Sequence, residues 1–227
     1  MFLPLHDTNP IRHVKFPYVT YGLMGLTIVC FLFQVALPPA AFESATINFG
    51  MIPIVVRDLY PQPVPWLPDW ATLLTYAFLH ADWLHLLTNM LFLWVFGDNI
   101  EDAMGHIKFA LFYLACAACA ALAHLAFNYS GNGPLIGASG AVAGVMGAYI
   151  LLYPHARVFV LARIVIPIPL PVPAFWMLGF WVATQIFYVV MDPGAPVAWW
   201  AHLGGFVSGM VLAAGFKRRE VALLGGH

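Results

Sequence analysis

The sequence predicts an all-α, polytopic membrane protein: a bundle of six transmembrane helices with both termini in the cytoplasm. Three observations lead there. Of the 227 residues, 62% are hydrophobic and only 8% charged, with a mean hydropathy of +0.84, far outside the composition of ordinary soluble domains. Apolar stretches, each near the ~20 residues needed to cross a ~30 Å hydrocarbon core, recur at 18–37, 84–97, 107–127, 139–153, 175–190 and 199–216. The nine basic residues are lopsided about that pattern: Arg12, Lys15, Lys108, Arg157, Arg163, Lys217, Arg218 and Arg219 fall inside and only Arg57 outside, as retention of Lys and Arg on the cytoplasmic side requires. The expected organisation is a cytoplasmic N-terminal segment 1–17, one membrane domain 18–216 and a cytoplasmic tail 217–227.

Taken in order, the first 17 residues carry Pro4, Pro10 and Pro17, and no small-residue cleavage site follows the first apolar stretch. It reads as a retained span, not a removed signal peptide, and with no transit-like extension before it the expected location is a bacterial inner membrane. The external connection 38–82 holds Pro39, Pro53, Pro61, Pro63, Pro65 and Pro68 with Trp66 and Trp70, and Trp83 follows it. Tryptophans at this density favour the membrane interface, so the loop is expected to lie against the outer leaflet. Residues 166–173 alternate proline with apolar side chains, which forbids helix and favours an extended segment between the fourth and fifth spans. Cys30, Cys116 and Cys119 lie inside spans, where a disulfide framework has no purpose; the Cys116/Cys119 pair reads as small packing residues. A formal charge of −1 offers no footprint for nucleic acid.

Polar residues inside spans are costly and usually functional. Span two opens on His85-Leu-Leu-Thr-Asn89, an i, i+4 pair on one helical face. Span four opens on Gly137-Ala-Ser139-Gly140 after the glycine-rich stretch 128–133, and span six on Ala201-His202-Leu-Gly-Gly205. Counting to the cytoplasmic end of each helix at ~1.5 Å per residue gives roughly 20 Å below His85, 24 Å below Ser139 and 23 Å below His202. Three separate stretches therefore deliver one serine, two histidines and an asparagine to one layer in the outer half of the membrane. Gly137, Gly140, Gly144 and Gly147 around span four, and Ala201, Gly205 and Gly209 on span six, form small-residue ridges that allow backbone contact.

A serine hydroxyl needs an adjacent base, and histidine is the usual one, so Ser139 and His202 are the candidate catalytic pair. Asp58, Asp69, Asp82 and Asp192 lie in external loops, which points to a dyad rather than a triad. The Ser139 backbone N–H at a helix N-terminus and the side chains of His85 and Asn89 are the candidate oxyanion donors. Glu101 and Asp102, past the inner end of span two, read as caps of helix ends or partners of Lys108 or Arg157. Gln185 in span five is polar enough to hydrogen-bond a neighbouring helix. His80 and His124 read as structural hydrogen bonders.

These motifs, in this order and in these spans, resemble the rhomboid family of intramembrane serine proteases over about 18–216. The resemblance implies a six-helix core, a Ser139–His202 dyad, and an oxyanion hole of His85, Asn89 and the Ser139 amide, with no cofactor and no metal. It implies single-span membrane proteins as substrates, reached through the lipid bilayer. It also implies a substrate gate at the fifth helix and the loop after it, about 175–199; Phe175, Trp176, Phe180 and Trp181 read equally as a lipid-facing gate or as ordinary lipid-exposed residues. One departure stands out: many relatives carry an aromatic residue four positions after the nucleophile, packed on the catalytic histidine, and this chain has Ala143, so something else must orient His202. Weighed beside the protease are a catalytically weak or inactive rhomboid-like protein that binds transmembrane segments, a zinc site on His80, His85 and His202, for which no HExxH or carboxylate in the layer speaks, and a transporter, for which the spans lack paired charges and repeated halves.

Overall fold

The computed structural model describes residues 2–64, 66–128, 130–163, 167–192 and 197–225. Pro65 of the proline-rich loop, Tyr129 of the glycine-rich stretch, Ile166 of the proline-alternating connection, 193–196 of the loop after the fifth span and 226–227 of the tail lie outside the described residues. In chain order the elements are β1 (Phe2–Asp7), α1 (Tyr18–Ala36), α2 (Pro39–Phe49), α3 (Pro53–Val56), α4 (Thr72–Thr75) between two single 3₁₀ turns, α5 (Trp83–Met104), α6 (His106–Phe127), α7 (Ser139–Leu152), β2 (Arg157–Arg163), β3 (Pro167–Pro173), α8 (Ala174–Met191) and α9 (Trp199–Phe216).

Helices α1, α6 and α8 are long and apolar enough to cross a membrane. The other three helices of the expected bundle differ for visible reasons. α5 ends on Asp98, Glu101 and Asp102, α9 opens on Trp-Trp-Ala-His, and α7 has only 14 residues. Eleven of those 14 are buried, so α7 is the central helix, wrapped by its neighbours, and hides most of its length from lipid. In α1 and α8, by contrast, few residues are buried and rows of large apolar side chains face outward.

The all-α expectation is corrected by a three-stranded antiparallel sheet in the order β1-β2-β3. β3 is the proline-alternating segment, extended as its composition requires, and pairs from Arg157↔Pro173 to Arg163↔Pro167. Proline at every second position puts all the missing N–H groups on one side of a strand whose period is two. Ile168, Leu170 and Val172 keep their donors for β2, and the outer edge is blunted against further pairing. β1 closes the other side, Phe2↔Ala162 to Asp7↔Val158 with a bulge near Pro4. Nothing in the hydropathy of 1–17 marks it as a strand; it becomes one because β2 offers an open edge.

The N-terminal segment is tied down by the two acids at the end of α5. Glu101 accepts from the N–H groups of Val19 (3.0 Å) and Thr20 (2.7 Å) and from the Thr20 hydroxyl (2.7 Å), satisfying donors that the first turn of α1 leaves without intrahelical partners. Asp102 accepts from the N–H groups of Arg12, His13 and Val14 at 2.6 to 3.0 Å. Glu101 thus caps α1 as expected, whereas Asp102 gathers the backbone N–H groups of the connection ahead of it. In place of Lys108 or Arg157, the side chain that pairs with Glu101 is His106, Nδ1 to Oε1 2.5 Å, and Arg218 Nε donates to the Asp102 backbone carbonyl at 3.2 Å.

The contact that sets the bundle's spacing is α7 against α9. A Cβ placed on Gly205 would overlap the Gly140 carbonyl, and one on Gly209 the Gly144 carbonyl, so the two helices touch backbone to backbone, as the small-residue ridges predict. Behind α7, Cys116 packs where a Gly144 side chain would go, consistent with its reading as a small packing residue.

Two outcomes follow for stability. Gly209→Val is expected to cost at least the ~1–3 kcal/mol of an overpacked core, read as lost thermal stability in detergent, whereas Gly215→Val, where a Cβ meets nothing within 4 Å, should leave it unchanged. Asp7, which accepts from the Tyr149 hydroxyl and from Asn99 Nδ2 (3.1 Å), is pushed up to about 6, mainly by burial. A carboxyl raised in the fold contributes stability that is present below its unfolded value and lost as pH rises through the folded one. Melting curves of wild type and Asp7→Asn should therefore converge below about pH 4 and separate, with Asn the more stable, as pH passes 6.

Candidate active site

The site begins with a cap that the sequence analysis did not use. The Asp82 carboxylate accepts the His85 N–H at 2.8 Å, an N-cap three residues ahead of its donor that starts α5 at a fixed residue and so fixes where His85 points. One turn on, the buried Asn89 donates through Nδ2 to the His85 carbonyl at 2.9 Å, which leaves its second N–H for another acceptor. The His85 ring lies edge-on to His80, centroids 4.9 Å apart. Its Nδ1 faces the Ala81 N–H at 3.5 Å, so Nε2 is the nitrogen directed inward.

Nε2 points at Gly137. Backbone φ there is +111°, a region that L side chains rarely adopt, and an added Cβ would come within 2.5 Å of His85 Nε2. Glycine is thus required both by the turn into α7 and by the imidazole beside it. The approach to that turn is held from below: Leu135 and Met51 exchange backbone hydrogen bonds of 2.8 and 3.1 Å, the Gly137 N–H reaches the Tyr76 carbonyl at 2.9 Å, and the Ala138 N–H reaches His80 Nε2 at 3.4 Å. His80, whose own N–H donates to Gln34 Oε1 at 3.1 Å, is the structural hydrogen bonder its isolation in sequence suggested. The long loop between α1 and α5 is therefore the scaffold of the site, with Trp66 and Trp70 exposed on it.

Ser139 is the first residue of α7, where N–H groups have no intrahelical acceptor and the positive end of the helix dipole lies. Its Oγ is 2.8 Å from His202 Nε2. Both side chains are half-buried, and the backbone contact between α7 and α9 brings them together: Ala201 and Gly205 flank the histidine at the crossing. Gly140 beneath Ser139 leaves no room for a side chain against Ala120 and Tyr76. The predicted site residues Ser139, His202, His85, Asn89, Gly137, Gly140 and Gly205 thus converge at one end of α5, α7 and α9, while Gly209 lies at mid-helix against Gly144.

Gln185 on α8 does hydrogen-bond a neighbouring helix, and its partner there, not foreseen from the sequence, is His202. Its Oε1 lies 2.8 Å from His202 Nδ1, and the rings of Trp181 and Trp199 stand 5.8 and 5.9 Å from the imidazole. Of the four bulky residues near the start of α8, Phe175, Trp176 and Phe180 are exposed, while Trp181 turns inward onto His202 and Phe206. No spacing rule links positions 185 and 202, because the pairing lies between helices. Among the described residues no group of three or more His, Cys, Asp or Glu side chains is placed to hold a metal.

Residues 67–219 match the family model of the Rhomboid domain. The chain is similar to Rhomboid protein 1, mitochondrial, of Saccharomyces cerevisiae, 33% identical over 144 residues that cover 60% of this chain and 38% of the yeast protein. It is also similar to RHOMBOID-like protein 12, mitochondrial, of Arabidopsis thaliana, 31% identical over 150 residues, 59% of this chain and 43% of that protein. Rhomboid-like protein 11, chloroplastic, of the same plant is 35% identical over 85 residues, 37% of this chain and 30% of that protein. The chain spans less than half the length of each. Their names are those of organellar proteins and lend no support to the bacterial inner membrane expected from the sequence.

The conflict at Gly137 has a measurable signature. Gly137→Ala should cost ~1–3 kcal/mol, the usual range for a residue held in a disfavoured backbone region, and push His85 off its position, visible in a structure of the variant. Adding His85→Ala should recover the part of that cost due to the clash and not the part due to φ, so thermal melts of the double-mutant cycle are expected to be non-additive.

Proposed function

The chain belongs to the rhomboid family of membrane-embedded proteins, and from that premise we propose that it is an intramembrane serine endopeptidase that hydrolyses peptide bonds of single-span membrane proteins within or near the outer leaflet. The observation that carries the reading is the 2.8 Å approach of His202 Nε2 to Ser139 Oγ, with Nδ1 engaged on the far side of the ring.

In the proposed reaction Ser139 Oγ attacks the scissile carbonyl carbon while its proton passes to His202 Nε2. The carbonyl π pair moves onto oxygen, and the Ser139 N–H, His85 Nε2–H and the second N–H of Asn89 are the donors that receive the developing charge. Collapse breaks the C–N bond, and His202 returns the proton to the leaving amine. Water then gives a proton to Nε2 and attacks the ester carbon, the C–Oγ bond breaks, and Ser139 recovers its hydrogen. Every proton is accounted for by side chains of this chain and water.

The reading includes six membrane crossings by α1, α5, α6, α7, α8 and α9 within the single domain 18–216, with both termini on the cytoplasmic side. β1 pairs with β2, which follows α7; the Arg218 N–H bonds the Ala103 carbonyl at the end of α5, and the Leu224 N–H bonds the Leu151 carbonyl at the end of α7. Residues from both termini thus share one end of the bundle, which an even number of crossings accounts for, and the basic residues assigned to the cytoplasm gather there. Serine, histidines and asparagine sit at the other end.

Ala143 favours one other reading, a rhomboid-like protein that binds transmembrane segments without cutting them. The two separate in proteoliposomes carrying a single-span substrate. The protease reading expects cleavage by wild type, none by Ser139→Ala or His202→Ala, and a kcat about 10²-fold lower in Asn89→Ala with KM little changed, the effect of losing one oxyanion donor. Equal silence of all variants toward several substrates, with substrate still bound, favours the binder.

A further inference from the structure

We propose that Gln185 is a positioning residue that holds His202 in the tautomer a general base needs, and that by acting from α8 it makes catalytic competence depend on that helix being seated against the bundle. The inference rests on the protease reading for its consequence and on geometry for its substance.

α8 presents mostly exposed apolar side chains, yet Gln185 is buried, only 5% exposed. Its amide is held in one orientation. Nε2 lies 3.1 Å from the Trp181 carbonyl and 3.0 Å from Thr184 Oγ1, and the Thr184 hydroxyl donates its own hydrogen to the same carbonyl at 2.6 Å. Both partners of Nε2 are therefore acceptors. Rotating the amide by half a turn would set Oε1 against the Trp181 carbonyl, two acceptors facing each other with no proton between them, a cost a buried polar group does not escape.

Oε1 must then face His202 Nδ1, 2.8 Å away, and a carbonyl oxygen only accepts. Nδ1 carries the hydrogen, and Nε2 is left with its lone pair toward Ser139 Oγ. This is the orienting role that a buried carboxylate plays in a Ser-His-Asp triad, performed by a neutral group that brings no charge into the membrane. The same helical turn supplies a ring: Trp181, four residues before Gln185, stands beside the imidazole. Ala143 on α7, four residues after Ser139, has no ring to set against the imidazole, whereas α8 supplies both Gln185 and Trp181. A hydrogen bond of 2.8 Å stretched by about 1 Å is no longer one, and an outward shift of α8 on that scale would release the tautomer.

The test uses the whole 227-residue chain labelled with 15N-histidine, in bicelles, with the His202 signals identified by their loss in His202→Ala. Wild type and Gln185→Glu are expected to show His202 with hydrogen on Nδ1, and Gln185→Met a mixed or Nε2–H population. In proteoliposomes Gln185→Met should lower kcat by about 10²- to 10⁴-fold, the upper figure being the cost of a wrong tautomer in a serine protease triad, with KM within about twofold, and Gln185→Glu should restore most of it. An Nε2–H tautomer in wild type, or a tautomer population indifferent to Met at 185, overturns the proposal; the wild-type spectrum decides even where a variant does not fold. Because the spectrum reads His202 whether or not any substrate is cut, an inactive wild type with hydrogen pinned on Nδ1 would count against the protease reading and leave this inference standing.

Discussion

Helix α9 can lie against α7 only because Gly205 and Gly209 meet the carbonyls of Gly140 and Gly144 with no side chain between. Lipid supplies no hydrophobic force to press two helices together, so close packing of small residues has to do it. The arrangement of the site depends on that contact. Widen the crossing by one methyl group and His202 no longer reaches Ser139; the same separation would uncover the central helix, whose 14 residues are too few to stand alone across a hydrocarbon core of ~30 Å.

Around that crossing the chain faces a second problem, how to seat polar groups in an apolar setting, where an unpaired one is costly. Several polar side chains near the reactive pair are given partners: Asp82 caps α5, Asn89 bonds the His85 carbonyl one turn back in the same helix, and across elements His80 bonds the loop before α7 and Gln185 bonds His202. At the opposite end Glu101 and Asp102 perform the same service for the N-terminal segment. The long loop between α1 and α5 and the sheet are thus fixed to the bundle by a few directional bonds each, while the helices are fixed to one another by packing.

Much of this is legible in the sequence because lipid imposes simple rules. Long apolar runs mark the helices, depth can be counted in residues, and a serine, two histidines and an asparagine at one depth are expensive enough to be noticed. The ridge Ala201, Gly205, Gly209 announces the close crossing. What escapes are the features set by pairing across distance. The sheet forms because the proline-alternating strand and residues 2–7 share β2, a relation no local periodicity reveals. Asp82 carries a readable signal, an acid three residues before His85, although in composition it resembles the other loop aspartates. Gln185 was visible as a polar residue in a span, but its partner lies across an interhelical gap, and Trp181, read with the outward-facing aromatics, belongs to the same inward turn.

The central claim is that His202 activates Ser139 for nucleophilic attack. The most direct measurement is covalent labelling of the protein by a fluorophosphonate in proteoliposomes, with the modified residue located by mass spectrometry and the rate compared between wild type and His202→Ala. The account predicts a single adduct on Ser139 whose rate falls by orders of magnitude without the imidazole. Labelling that misses Ser139, or a rate on Ser139 that does not change when His202 is removed, would contradict it.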